Sequence, residues 1–403
     1  MIKKPNSTDQ KDRYRFIIYA LLAFAHAVCG LNFLGPSAIL PLINEEWFMS
    51  GPMSGLFVSA MTLTVTFASI PLSIIGSRLG AFRAYLIGWV ILGLGVFSYT
   101  FDSFGLLLGI RFIQGFGASF ILPVAASIVM EWAENDEIAA VNTVNLSFLT
   151  VGMGISLVIG APLAELVGWR AVLALDGFFA LIGALVWALL YKSPSKNAGN
   201  NVSSPVSIRD IVVVFRDRKT WFLSFAVVGP WAQFIALSTW LPTFYLTVKG
   251  LELAVAGFAT SIFTFAGVPA TILGGFITAK SGKRRPILLF TGTFLGLAGF
   301  LSVIVPNGIF IYLAVFITGF LQWIYEPAIF TIPMELPDST PEKSSAIFAA
   351  MLTMGNASSF IAPVLVGFLM DLSGSYLPGF VAVFILSYTL LFSAWKLPET
   401  GSN

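Results

Sequence analysis

Three side chains in this sequence have chemistry that their surroundings do not: Arg111, Glu326 and His26 each stand inside a long apolar run. Arg111 belongs to LGIRFIQGFGASFILP, Leu108 to Pro123, one turn inside an apolar segment from Phe104 to Met130. An arginine in hydrocarbon costs about 2.5–3.5 kcal/mol on insertion scales, so it must face a polar interior. Gln114 and Gly115 follow at i+3 and i+4 on the same helical face, and Gly117 and Ala118 are small enough for backbones to approach closely. Two readings of Arg111 stay open. Either its guanidinium braces the helix by bonding carbonyls and Gln114, or its five donors help bind an anion or tune a proton site.

Glu326 is the complementary case, next to Pro327 and one turn after Gln322. Intramembrane acids mark proton relays; the alternative is an acid near a vestibule or paired with a basic side chain. His26 titrates near neutrality when unperturbed, but a lone imidazole also rests neutral with one hydrogen bond. Asp176 reads as structural, a partner for Arg170 across a helix end. Glu131 and Glu335 read as acids at helix ends that bind or cap basic loops. Trp231, Trp240 and Trp323 either line a cavity or simply pack.

The elements that must position these groups are membrane helices. The sequence is 57% hydrophobic and 10% charged, against roughly 25% charged for a soluble domain, and its mean hydropathy is +0.88. Spans of the length a bilayer needs, about 17–25 residues, recur twelve times, the first near 16–43 and the last near 377–395. The first apolar run follows a basic start and contains Ala25-His26-Ala27, which resembles a signal cleavage site; it continues past that point and reads as a span. The polar stretch 192–220 divides an N-terminal unit, 1–191, from a C-terminal unit, 221–403, and a short amphipathic helix is expected within it at Ile208 to Phe215. Of the 22 Lys and Arg, all but Arg111, Arg170 and Lys249 fall in the termini and in loops on their side. Both termini are therefore expected to be cytoplasmic, in a plasma membrane.

The two units echo each other. Leu40-Pro41 returns as Leu241-Pro242, Asn32 as Gln233, Ala161-Pro162 as Ala362-Pro363, and Ser77-Arg78-Leu79-Gly80 as Ala279-Lys280-Ser281-Gly282. Gly115-Phe116, Pro123 and Met130-Glu131 return as Gly319-Phe320, Pro327 and Met334-Glu335. One nearly constant offset relates all of these pairs. The expected fold is all-α and polytopic: twelve transmembrane helices in two six-helix bundles, repeated in parallel, with a binding site between them at the midplane.

At these residues the sequence resembles the major facilitator superfamily. The family's loop motif, G-x-x-x-D-R-x-G-R-R, is met between the second and third spans by Arg78, Gly80 and a displaced Arg83, with Ser73 for its glycine and Ser77 for its aspartate. The second copy keeps Gly275, Lys280, Gly282, Lys283 and Arg284, with Ala279 for the aspartate. The resemblance implies that this loop latches one facing state, partly through the acid that both copies lack. The fourth-span pattern R-x-x-Q-G-x-G is matched by Arg111, Gln114, Gly115 and Gly117, and Gly168-Trp169-Arg170 also resembles the family. The fifth-span exporter pattern is degraded to Gly160-Ala161-Pro162, whereas Trp240-Leu241-Pro242-Thr243 is similar to members that take up small organic anions.

The resemblance implies a secondary active transporter rather than an enzyme, working by rocking of its halves. The substrate is expected to be a small organic or inorganic anion, contacted by Arg111, Asn32, Gln114, Gln233, Gln322 and Trp240. The coupling ion is expected to be a proton, carried by Glu326 or His26. A proton-driven exporter is the rival within transport, and a non-transporting receptor or lipid scramblase the rival from another class. No cofactor, metal or nucleic acid is expected, and the working unit is expected to be a monomer: one histidine and one cysteine, Cys29, make no metal cluster, and no phosphate-binding loop is present. Leu397-Pro398-Glu399-Thr400-Gly401 spells a sortase signal without the apolar span such a signal needs. Similar PET endings occur in the family, and no function is assigned to it.

Overall fold

A computed structural model of the chain describes residues 7–134, 137–192, 216–337 and 339–401. Twelve helices among them are long and apolar enough to cross a membrane. No strand occurs among the described residues, as lipid requires of any structure that is not a closed barrel, since each helix satisfies its own backbone. Spans 1 to 6 are Ser7–Trp47, Gly51–Leu79, Ala81–Leu92 continued by a 3-10 segment Gly93–Tyr99, Phe104–Trp132, Ile138–Val167 and Trp169–Leu190. Span 7 is Arg218–Thr247, span 9 Arg285–Ile304 and span 11 Pro341–Ser373. Three spans of the second half are broken: span 8 into Leu253–Phe265 and Gly267–Ser281, span 10 into Ile309–Ile324 and Glu326–Glu335, and span 12 into Leu377–Leu386 and Thr389–Lys396. The helix expected at 208–215, and most of the expected linker, lie outside the described residues.

An even number of spans brings both chain ends to one face of the molecule, the terminal face; the other is called the far face. Some hydroxyls along the spans bond carbonyls a turn earlier, as Ser59 to Gly55 (2.8 Å) and Thr66 to Thr62 (2.8 Å), which satisfies them without water, whereas others, such as those of Thr239 and Thr264, are buried without a partner. Packing rests on small residues because lipid supplies no hydrophobic drive between helices. Gly115 of span 4 has no room for a side chain against the Met61 carbonyl of span 2 (2.6 Å from an added Cβ). Its repeat partner Gly319 of span 10 lies tighter still on the Phe263 carbonyl of span 8. The matched glycines therefore close the same pair of helices in each half, and duplication preserved the contact.

The halves meet toward the far face. Gly51 and Gly55 of span 2 lie on Gly367 and Pro363 of span 11, and Gly257 of span 8 lies on the Leu157 carbonyl of span 5. The loop motif has one conformation feature in both copies, a positive φ at Gly80 (81°) and at Gly282 (62°), a region that only glycine enters freely.

Candidate transport site

Arg111 is turned into the first half. It is 3% exposed and donates to the carbonyls of Phe33 on span 1 (3.5 Å) and Val58 on span 2 (3.4 Å) and to Gln114 Oε1 (3.3 Å). Gln114 Nε2 donates to Asn32 Oδ1 (2.8 Å) and to the Leu92 carbonyl (2.9 Å), and Asn32 Nδ2 to the Val28 carbonyl (2.9 Å). One network thus ties spans 1, 2, 3 and 4 together, with Arg111 at its centre. A cavity of about 10 Å³, room for about one water, is lined by Arg111, Asn32, Gln114 and Ser98. The Arg111 Nε has no partner.

The charge on Arg111 has a counterpart in Asp176 of span 6, which is 7% exposed and close enough for the two charges to interact. Asp176 also touches Gly35 of span 1, where an added Cβ would stand 2.5 Å from its Oδ2. This corrects the expected pairing of Asp176 with Arg170. Arg170 is held by Glu46 (2.7 Å) and Asp102 (3.0 Å), and Trp169 Nε1 also donates to Glu46 (2.8 Å). The reason is positional: Arg170 stands at the far-face end of span 6, between Glu46 in the last turn of span 1 and Asp102 in the loop before span 4. Asp176, six residues on, faces spans 1 and 4.

The second half is built differently. Gln233 donates to the Leu295 carbonyl of span 9 (3.2 Å) and accepts from Ser387 Oγ of span 12. Trp240 donates to the Pro363 carbonyl of span 11 (2.9 Å). Both are fully buried, so in this conformation their polar atoms serve helix packing. Gln322 is 1% exposed, and its Oε1 has no partner. His26, 4% exposed, has Nδ1 against the Leu22 carbonyl (2.8 Å). The structure therefore brings Arg111, Gln114 and Asn32 together, while Gln233, Trp240, Gln322 and His26 sit in separate surroundings.

Glu326 stands at the break of span 10, the first residue after Tyr325 interrupts the helix. It is half-buried, and its Oε1 accepts from Trp231 Nε1 of span 7 (3.1 Å). No Lys or Arg pairs with it among the described residues. Trp231 is itself wedged between Gly355 of span 11, where an added Cβ would meet its ring at 2.5 Å, and the ring of Phe330. Sequence reasoning weighed Trp231 only as lining or packing; its place before Glu326 depends on spans 7 and 10 meeting, which no local pattern encodes.

At the terminal face the second loop copy is fully engaged. Arg284 Nε donates to both oxygens of Glu335 (3.2 and 3.1 Å), as expected of an acid at that helix end. Glu399 accepts from the backbone N–H groups of Arg284 (2.6 Å) and Arg285 (3.2 Å), and Thr400 donates to Glu335 (3.0 Å). The PET segment, assigned no function above, is thus a cap on span 9 and a clamp on the loop. Lys280 lies over the Phe276 ring (5.7 Å), and the Lys283 N–H donates to Ser281 Oγ (3.3 Å). Arg78 is exposed in the last turn of span 2, and Glu131 is exposed at the end of span 4.

Comparison with known proteins accords with this architecture. The family model of the Major Facilitator Superfamily matches residues 22–363. The "Probable sulfoacetate transporter SauU" of Cupriavidus necator is 23% identical over 416 residues, covering 96% of this chain and 95% of that one. A "Probable sugar efflux transporter" of Helicobacter pylori (strain J99) is 25% identical over 368 residues, covering 85% and 86%. The crystal structure of a bacterial homolog of the human lysosomal transporter Spinster, inward-facing and unoccupied, superposes with a TM-score of 0.79 at 15% identity, covering 95% and 97%. With twelve spans, the shared fold and a model match over most of its length, the chain belongs to the Major Facilitator Superfamily, and it is a membrane transporter of small solutes, not an enzyme.

Proposed function

We propose that this transporter carries a small organic anion together with a proton across the plasma membrane, its terminal face in the cytoplasm. The observation that carries the reading is Glu326: a half-buried carboxyl at a helix break inside the bilayer, met by one indole N–H and by no cation among the described residues. Such an acid gains and loses a proton as its access to water changes, without any ion pair to break.

Coupling then needs only electrostatics. An anionic substrate and an ionised Glu326 repel each other by about 2 kcal/mol at 8 Å and an effective dielectric of 20, roughly a 30-fold preference for binding with the proton on. The anion class is supported by Arg111, the cation embedded in the first half, and by the name of the relative that moves sulfoacetate. Arg111 in this reading acts from within the first bundle, through its field and by fixing Gln114 and Asn32, because its Nη1 is engaged by Gln114 and its Nη2 by the Phe33 and Val58 carbonyls. Lys and Arg concentrated on the terminal face support the orientation. The test is gradient-driven accumulation of sulfoacetate by the wild type and by Glu326→Gln, which is expected to keep exchange and lose accumulation.

A further inference from the structure

Span 2 starts on the far face at Gly51, and the residue before it, Ser50, gives no side-chain cap. The first N–H groups of a helix have no partner within it, and Pro52 contributes none. The Gly51 N–H is instead met from the other half of the molecule: Asp371 of span 11 accepts it with Oδ1 at 3.1 Å and Oδ2 at 2.9 Å. The approach is possible because both backbones are bare there. A Cβ on Gly51 would strike Gly367, one on Gly367 would strike Gly51, and one on Gly55 would strike the Pro363 carbonyl.

Asp371 is badly placed for its own helix. It stands in the last turn of Pro341–Ser373, where the helix dipole opposes a negative charge, whereas the start of span 2 attracts one. Its charge is favourable only when the two halves touch at this face. On the terminal face, the loop positions where the family resemblance calls for an acid hold Ser77 and Ala279.

We propose that Asp371 is a latch between the halves: it caps span 2 from span 11, holds the far face shut, and biases the resting transporter toward the state open on the terminal face. The latch depends neither on the substrate nor on Glu326.

The experiment reads opening as the labelling rate of a buried thiol. Ser59 is 1% exposed and lies on the face of span 2 that carries Gly51 and Gly55. Ser59→Cys is made in a Cys29→Ala background, and a water-soluble maleimide is added to the full-length protein in lipid nanodiscs. Asp371→Asn removes the charge at constant size while leaving an amide oxygen able to accept the Gly51 N–H, and is expected to raise the labelling rate roughly 2- to 5-fold, the range that a charge at a helix N-terminus gives. Gly367→Ala, which separates the backbones without touching the charge, is expected to raise it as well. Native Cys29, fully buried within the first half, serves as control in the Ser59 parent, and its rate is expected to stay constant in Asp371→Asn. An unchanged rate at position 59 in Asp371→Asn overturns the latch, most directly if Gly367→Ala accelerates it. Equal acceleration at Cys29 also overturns it, because the variant then loosens the fold as a whole.

Discussion

Removing the buried guanidinium is the perturbation whose cost the structure defines best. Arg111→Met keeps a long unbranched side chain but leaves Asp176 in a closed bundle without its cation, and removes the donor that Phe33, Val58 and Gln114 share. The three bonds are long, 3.3 to 3.5 Å, so charge should outweigh directional bonding. The two charges interact without a direct ion pair, so removing one is expected to cost about 1–3 kcal/mol, the coupling typical of neighbouring sites. Adding Asp176→Asn should therefore give some of that back, with a coupling of about 1–3 kcal/mol between neighbouring sites. Unfolding of the purified protein in mixed detergent micelles, followed by helical circular dichroism, measures both quantities in one four-protein cycle. A loss below about 1 kcal/mol in Arg111→Met, or strict additivity in the double variant, refutes the claim that Asp176 is the counter-charge of Arg111.

Two further predictions concern the scaffold. Glu399→Ala should uncap span 9 and free the Arg284 backbone, costing about 1 kcal/mol and exposing the loop at 280–285 to protease; resistance equal to wild type would contradict the clamp. Gly152 of span 5 lies on the Ala27 carbonyl of span 1 with no room for a Cβ, so Gly152→Val should cost about 1–3 kcal/mol through forced backbone movement. An unaltered unfolding midpoint would show that spans 1 and 5 separate without strain.

How far the site was legible in the sequence follows from what kind of contact each residue makes. The bond between Arg111 and Gln114 was readable, because i+3 on a helix is a local relation. The pairing of Gly115 with span 2 and of Gly319 with span 8 follows from a repeat that the sequence displays openly. Asp176 beside Arg111 was not readable, since it requires spans 4 and 6 to pack, and the nearer basic residue, Arg170, offered a misleading partner. Glu399 gave no signal for a similar reason: its target is a pair of backbone N–H groups more than a hundred residues away, and backbone groups leave no mark in composition. Asn32 and Gln233 show a subtler limit. Their equivalence across the halves is visible, but one bonds toward span 4 and the other toward spans 9 and 12, so matched positions carry different partners.

Coupling of a proton to an anion at Glu326 is measurable in proteoliposomes. Purified wild type and Glu326→Gln are reconstituted in parallel, and labelled sulfoacetate is followed under a pH gradient and in gradient-free counterflow. Wild type is expected to concentrate sulfoacetate above the bath level and to lose that excess when a protonophore is added, while Glu326→Gln exchanges sulfoacetate in counterflow but never concentrates it. Accumulation by Glu326→Gln equal to wild type, or wild-type accumulation that survives the protonophore, would contradict the account.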